Sequence, residues 1–197
     1  MTLKPDKPRN EIRIDRLSVF RRNVVDGNFE ELKTKAENDP VENMGDYASS
    51  EDDIEYLRFI YNFLSSFVAW KKKAKKLSKE DEIKINKEDI ESRLNQEIEE
   101  GKRYFLEELR NFLNHKGEIN LGRTISVDDS ESRIILGIDD ELARDLSQRA
   151  NAGGRIEKAY NYFKENRNTL DLINDLSDLH QAIEETDNWI HQEVIDD

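Results

Sequence analysis

Cysteine is absent from the chain, which excludes disulfides and thiolate metal sites and makes a cytoplasmic protein the simplest expectation. Long apolar runs are missing too. The most apolar stretch, Phe59 to Trp70, is interrupted by Asn62, Ser65 and Ser66, so no membrane association is expected. The first residues, among them Lys4, Pro5, Asp6, Lys7 and Pro8, lack the apolar core of a secretory signal. Positive charge is in deficit: 31 basic against 44 acidic side chains leave a net charge of -13. That balance argues against a broad polyanion-binding surface, which relies on clustered Lys and Arg.

The deficit is uneven along the chain. Residues 1 to 56 are net -5, residues 57 to 136 net +1, and residues 137 to 197 net -9. The middle third carries the cluster Lys71, Lys72, Lys73, Lys75, Lys76 and Lys79. A lysine run at a helix end is ordinarily a solvated face that complements the macrodipole, although a local basic groove is also open here. With 197 residues and 36% hydrophobic content the chain suffices for one domain with a real core. Its 38% charged content gives the helices wide solvated faces.

Periodicity predicts a mostly α protein. Residues 10 to 25 and 29 to 36 read as two short helices separated by Gly27, and 41 to 50 as a loop, so 1 to 50 form an N-terminal segment. Ile54, Leu57, Ile60, Tyr61, Leu64, Phe67, Val68 and Trp70 mark a strong helix from 51 to about 77. A second long helix is expected from about Lys87 to Lys116, stopped by Gly117. The period then changes over about 118 to 138, where β-branched residues flank Asp128-Asp129-Ser130-Glu131, and a β-hairpin is predicted. Helical spacing returns at 142 to 146, 156 to 163 and 170 to 194. The expected architecture for 51 to 197 is an up-and-down helical bundle with a small hairpin inserted. Phe59, Phe63, Phe67, Trp70, Phe105, Phe112 and Trp189 are expected in its core or at an interface.

One run suggests chemistry. Arg110-Asn111-Phe112-Leu113-Asn114-His115 places a permanent cation, two amides and an imidazole within six residues, with Arg103, Arg110 and Asn114 expected on a polar face. Asn111 and His115 are four apart and share a face, whereas the stems of Arg110 and His115 diverge by about 140° on an ideal helix. A plainer account has Arg110 paired with Glu107 or Glu108 and His115 as a simple helix-end histidine. His180 and His191 lack metal spacing and are expected at a surface or interface. Acid pairs such as Asp139-Asp140 and Glu184-Glu185 fit caps and solvation better than a metal site. Neither metal nor cofactor is expected.

In its helical setting, Leu109-Arg110-Asn111-Phe112-Leu113-Asn114-His115-Lys116-Gly117 resembles the R-x4-6-H signature of the HEPN superfamily, with a polar residue directly after the arginine. The resemblance extends over about residues 51 to 197, including the preceding helix Tyr61-Asn62-Phe63-Leu64-Ser65-Ser66-Phe67 and the hairpin. It implies a helical bundle and a metal-independent endoribonuclease of toxin-antitoxin or antiphage type, with a site assembled across a homodimer. On that resemblance His115 is the general acid or base, Arg110 holds the phosphate as charge builds in the transition state, and Asn111 orients either group. Arg103, Asn114 and Lys116 would contact the substrate, expected to be single-stranded RNA. The implied partner is an antitoxin or a nucleotidyltransferase. The rival expectation is a non-catalytic helical binding or scaffold protein whose acidic last third docks a partner.

Overall fold

Helix α3 (Ser50–Leu77) follows directly from its spacing: Tyr56, Ile60, Phe63, Leu64, Phe67, Trp70 and Ala74 recur at three- and four-residue intervals and are all fully buried. Burial of each large side chain of this kind is worth about 1.5–3 kcal/mol relative to exposure. The computed structural model of the protein describes residues 9–38, 50–77, 83–116, 121–128, 131–138, 140–150, 153–167 and 169–195. The loop expected at 41 to 50 lies almost wholly outside the described residues, and the stop expected at Gly117 lies outside them.

Gly27 does not divide the N-terminal segment into two helices. Helix α1 (Arg9–Phe20) passes into α2 (Asp26–Asn38) through a π-helical turn at Arg21–Val25. The wider turn lets Arg21 and Val25 both face inward, at 7% and 0% exposure. Arg21 is accommodated because α8 (Leu172–Ile195) meets it with Glu184 at 3.4 Å and Asp187 at 3.3 Å, while Asp26 pairs with it at 3.0 Å. The α2 helix runs antiparallel to α3, as Asn28 donates to the Asn62 carbonyl and Tyr56 to the Lys35 carbonyl. Leu17, Val25, Phe29 and Leu32 enter the same core as Phe63 and Trp70.

The helix expected from Lys87 to Lys116 is broken. Helix α4 (Lys87–Glu97) opens on a capping box in which Asp89 N–H donates to Asn86 Oδ1 at 2.9 Å and Asn86 N–H to Asp89 Oδ2 at 2.8 Å. Ile98 then takes an extended conformation (φ -141°, ψ 143°), and α5 (Glu100–Lys116) starts anew. The redirection brings Gly101 against α7 (Arg155–Asn166), where an added Cβ would lie 3.1 Å from Tyr162 Cβ and 3.3 Å from the Lys158 carbonyl. Only a glycine permits that approach without a shift of the backbone.

Strands β1 (Leu121–Asp128) and β2 (Glu131–Ile138) pair antiparallel, with Leu121 opposite Ile138 and Ile125 opposite Ile134. Helix α6 (Asp140–Ala150) follows, and its Leu142 and Leu146 join the core with Ala159, Tyr162 and Phe163 of α7 and the Leu176, Leu179, Ile183 and Ile190 stripe of α8. The protein is thus a mostly helical bundle. Phe63, Phe67, Trp70, Phe105 and Phe112 are buried, while Phe59 and Trp189 pack partly buried against the same core. Among the described residues, no helix is long and apolar enough to cross a membrane.

Candidate functional site

Helix α5 is buried on nearly every side through its middle: Arg103, Phe105, Leu106, Glu107, Glu108, Leu109, Phe112 and Leu113 are all at or below 8% exposure. Polar side chains on such a helix must find partners within the protein, because an unpaired buried charge is costly.

Arg103 is completely buried, which corrects its placement on an exposed face beside Arg110. It donates to Asn95 Oδ1 at 2.7 and 3.0 Å, pairs with Glu91 at 2.8 Å and Glu107 at 2.9 Å, and lies 4.5 Å over the Tyr104 ring. Glu107 also receives Lys71 of α3 and Arg155 of α7. One residue of the lysine run is therefore an interior ligand of a carboxylate, whereas Lys72, Lys73 and Lys76 are exposed. Burial pushes the Lys71 ammonium below its ordinary value, against the opposing pull of Glu107 and Glu91. This network ties α3, α4, α5 and α7 together.

Arg110 has different surroundings. Its Nε donates to Ser65 Oγ at 3.4 Å and its Nη1 to Asn111 Oδ1 at 3.4 Å, and the guanidinium stands 5.9 Å from the centroid of the Tyr61 ring. All three partners are neutral. The plainer account of Arg110 fails, since Glu107 is engaged as described and Glu108 is held by Arg149 of α6 at 2.7 Å. Among the described residues, no carboxylate lies within ion-pair distance of Arg110, although it is partly buried.

Asn111 links two sides of α5. Its Oδ1 accepts from Arg110 while its Nδ2 donates to Glu108 Oε1 at 3.3 Å, so the Glu108–Arg149 pair fixes the amide from the α6 side. His115 is one turn further on and exposed. Asn114 is also exposed and its Oδ1 accepts the Tyr61 phenol at 3.0 Å. The Lys116 side chain lies outside the described residues. The structure therefore hydrogen-bonds Arg110 to Asn111 and ties Asn114 to Tyr61, whose ring flanks Arg110, and leaves His115 at the margin.

Tyr61, Ser65, Glu108 and Arg149 were not singled out from the sequence as site residues. A signal existed for two of them, because Tyr61 and Ser65 sit four apart among the polar interruptions of an otherwise apolar helix. The remaining histidines are placed elsewhere. His180 Nε2 is 2.9 Å from Asp26 Oδ1 and its ring stacks on Phe29 at 4.3 Å, while His191 is 3.9 Å from Asp15. Among the described residues, no group of three or more potential ligands has the arrangement of a metal site. Compared with models of protein families, with curated proteins and with solved structures, the chain matches none.

Proposed function

We propose that the protein is a metal-independent endoribonuclease of HEPN type, acting on single-stranded RNA, with the strand pair as a hairpin inserted after the motif helix and with α5 at a homodimer interface. The observation that carries the reading is the state of Arg110: in a chain of net charge -13, this half-buried guanidinium is held by Ser65, Asn111 and the Tyr61 ring and meets no carboxylate among the described residues. A cation aimed by neutral groups keeps its charge available for a phosphate, which a guanidinium engages with two parallel donors.

In this reading the RNA 2′-hydroxyl attacks the adjacent phosphorus, its proton passing to a base, and the 5′-oxygen leaves with a proton from an acid, giving a 2′,3′-cyclic phosphate. His115 supplies the proton transfer, since an imidazole changes charge near neutral pH. Arg110 stabilises the charge gathered on the phosphate oxygens, and Asn111 sets the guanidinium. Arg103 has no part, being buried in its carboxylate network. A partner chain completes the cleft, since the stems of Arg110 and His115 diverge by about 140° on one helix. A toxin or antiphage role follows from the same resemblance.

The test is incubation of labelled single-stranded RNA in EDTA with the wild type, Arg110→Ala and His115→Ala. Cleavage by the wild type alone, leaving cyclic phosphate ends, supports the reading. No cleavage of several RNAs by folded, dimeric protein favours the binding or scaffold alternative, in which the acidic last third docks a partner.

A further inference from the structure

Two helices approach each other around Arg110 with matched one-turn steps. On α3 these are Tyr61 and Ser65, and on α5 they are Arg110 and Asn114. Ser65 accepts from Arg110 at 3.4 Å, Tyr61 donates to Asn114 at 3.0 Å, and the Arg110 guanidinium flanks the same Tyr61 ring at 5.9 Å. The bond from Tyr61 has a directional consequence. With Asn114 Oδ1 accepting a hydrogen bond from the phenol, the Nδ2 of this exposed amide keeps its two donors for a ligand, one turn from Arg110 on the same helix.

From this we infer that Tyr61 is a positioning residue that turns Asn114 Nδ2 into the second donor of a clamp for phosphate oxygens, with Arg110 as the charged half. The clamp rests on the ribonuclease reading only for its substrate, the backbone of single-stranded RNA. Its chemistry selects groups that accept hydrogen bonds and carry negative charge. Asn114 thereby contacts the substrate directly, whereas Asn111 acts through the guanidinium it sets.

The experiment is fluorescence anisotropy with a labelled single-stranded oligodeoxynucleotide, which lacks the 2′-hydroxyl and is not cut, across a salt series. Cleavage of the matching RNA is followed in parallel. Removal of the hydroxyl in Tyr61→Phe keeps the ring and is expected to weaken binding about fivefold, the scale of one net hydrogen bond. Asn114→Asp places a carboxylate one turn from Arg110 and is expected to weaken binding by about tenfold or more and flatten the salt dependence. Asn114 is exposed, so that variant folds. In the RNA assay Tyr61→Phe should raise KM and leave kcat, as expected for an interaction equal in ground and transition states.

Binding and KM equal to wild type in both variants overturn the clamp. So does the absence of any oligonucleotide binding by the wild type. A wild type that binds the oligonucleotide and cuts no RNA, with both variants binding less, supports the clamp and sinks the ribonuclease reading.

Discussion

Arg103 and Arg110 lie seven residues apart on α5, about two turns and so on one stripe of the helix, yet they end in opposite surroundings. Arg103 has no exposed surface and two carboxylate partners, whereas Arg110 is partly buried and has only neutral partners among the described residues. The antiparallel neighbour explains the contrast. Lys71 near the end of α3 brings a second cation that Glu107 and Glu91 must balance, while Tyr61 and Ser65 nearer its start bring no charge.

Stability and activity should therefore separate between these two arginines. Arg103→Ala leaves Glu91 and Glu107 without their central cation and is expected to cost about 3–5 kcal/mol, the range for breaking a buried ion pair. Arg110→Ala removes only weak neutral bonds at a half-exposed site and should cost about 1 kcal/mol or less. Urea unfolding of both variants measures the difference, and equal losses would show that Arg110 is as structural as Arg103.

Much of the fold was legible from spacing alone, because α3 and α8 bury one stripe each and their stripes repeat at three and four residues. The break at Ile98 was not legible. Ile98 fits the apolar period of a continuous helix, and its extended backbone goes with the approach of Gly101 to α7, an element distant in sequence. The surroundings of the candidate residues were legible only in part. Arg110 and Asn111 are neighbours in the chain and are hydrogen-bonded, but a sequence cannot tell which of two arginines on one stripe faces acids and which faces a tyrosine and a serine. Tyr61 and Ser65 were read as ordinary helix residues for the same reason, since their role exists only once α3 lies against α5.

Acid should loosen the same network from the α4 side. Burial disfavours the ionised Glu91 carboxylate, but the hydrogen bond from Lys75 and the charges of Lys71 and Arg103 outweigh it and hold the group below its ordinary value of 4.5. A carboxylate depressed in the folded state contributes stability above its unfolded pKa and loses it as pH falls through the folded one. The unfolding midpoint in urea should accordingly fall as pH drops below about 4.5, and Glu91→Gln should shrink that dependence. An unchanged pH profile in Glu91→Gln would remove Glu91 as its source.

Asp187 should be the polar anchor of the N-terminal helices. It is 2% exposed and receives Trp70 Nε1 at 3.0 Å and Arg21 Nε at 3.3 Å, joining α8 to α3 and to the π-helical turn. Asp187→Ala leaves a buried guanidinium short of one carboxylate and an indole N–H unpaired, a loss of about 3 kcal/mol or more. Hydrogen exchange should show the earliest opening at Arg21–Val25, and protection there equal to wild type would contradict this assignment.

A cleft shared between two chains has an arithmetic signature. In a symmetric dimer whose phosphate is held by Arg110 of one chain and worked on by His115 of its partner, a mixed dimer of Arg110→Ala and His115→Ala has one site with both groups lost and one with both intact. Random mixing of equal amounts makes half the dimers mixed, so about a quarter of the wild-type cleavage should return although each variant alone is inactive. If both groups of a site instead belong to one chain, no pairing restores an intact site and the mixture stays inactive. Coexpression with two purification tags isolates the mixed species, for which the shared cleft requires about half the wild-type rate. The measurement needs no structure of the complex, and it bears directly on the 140° divergence of the two stems, which within one chain leaves Arg110 beside Tyr61 and Ser65 of α3.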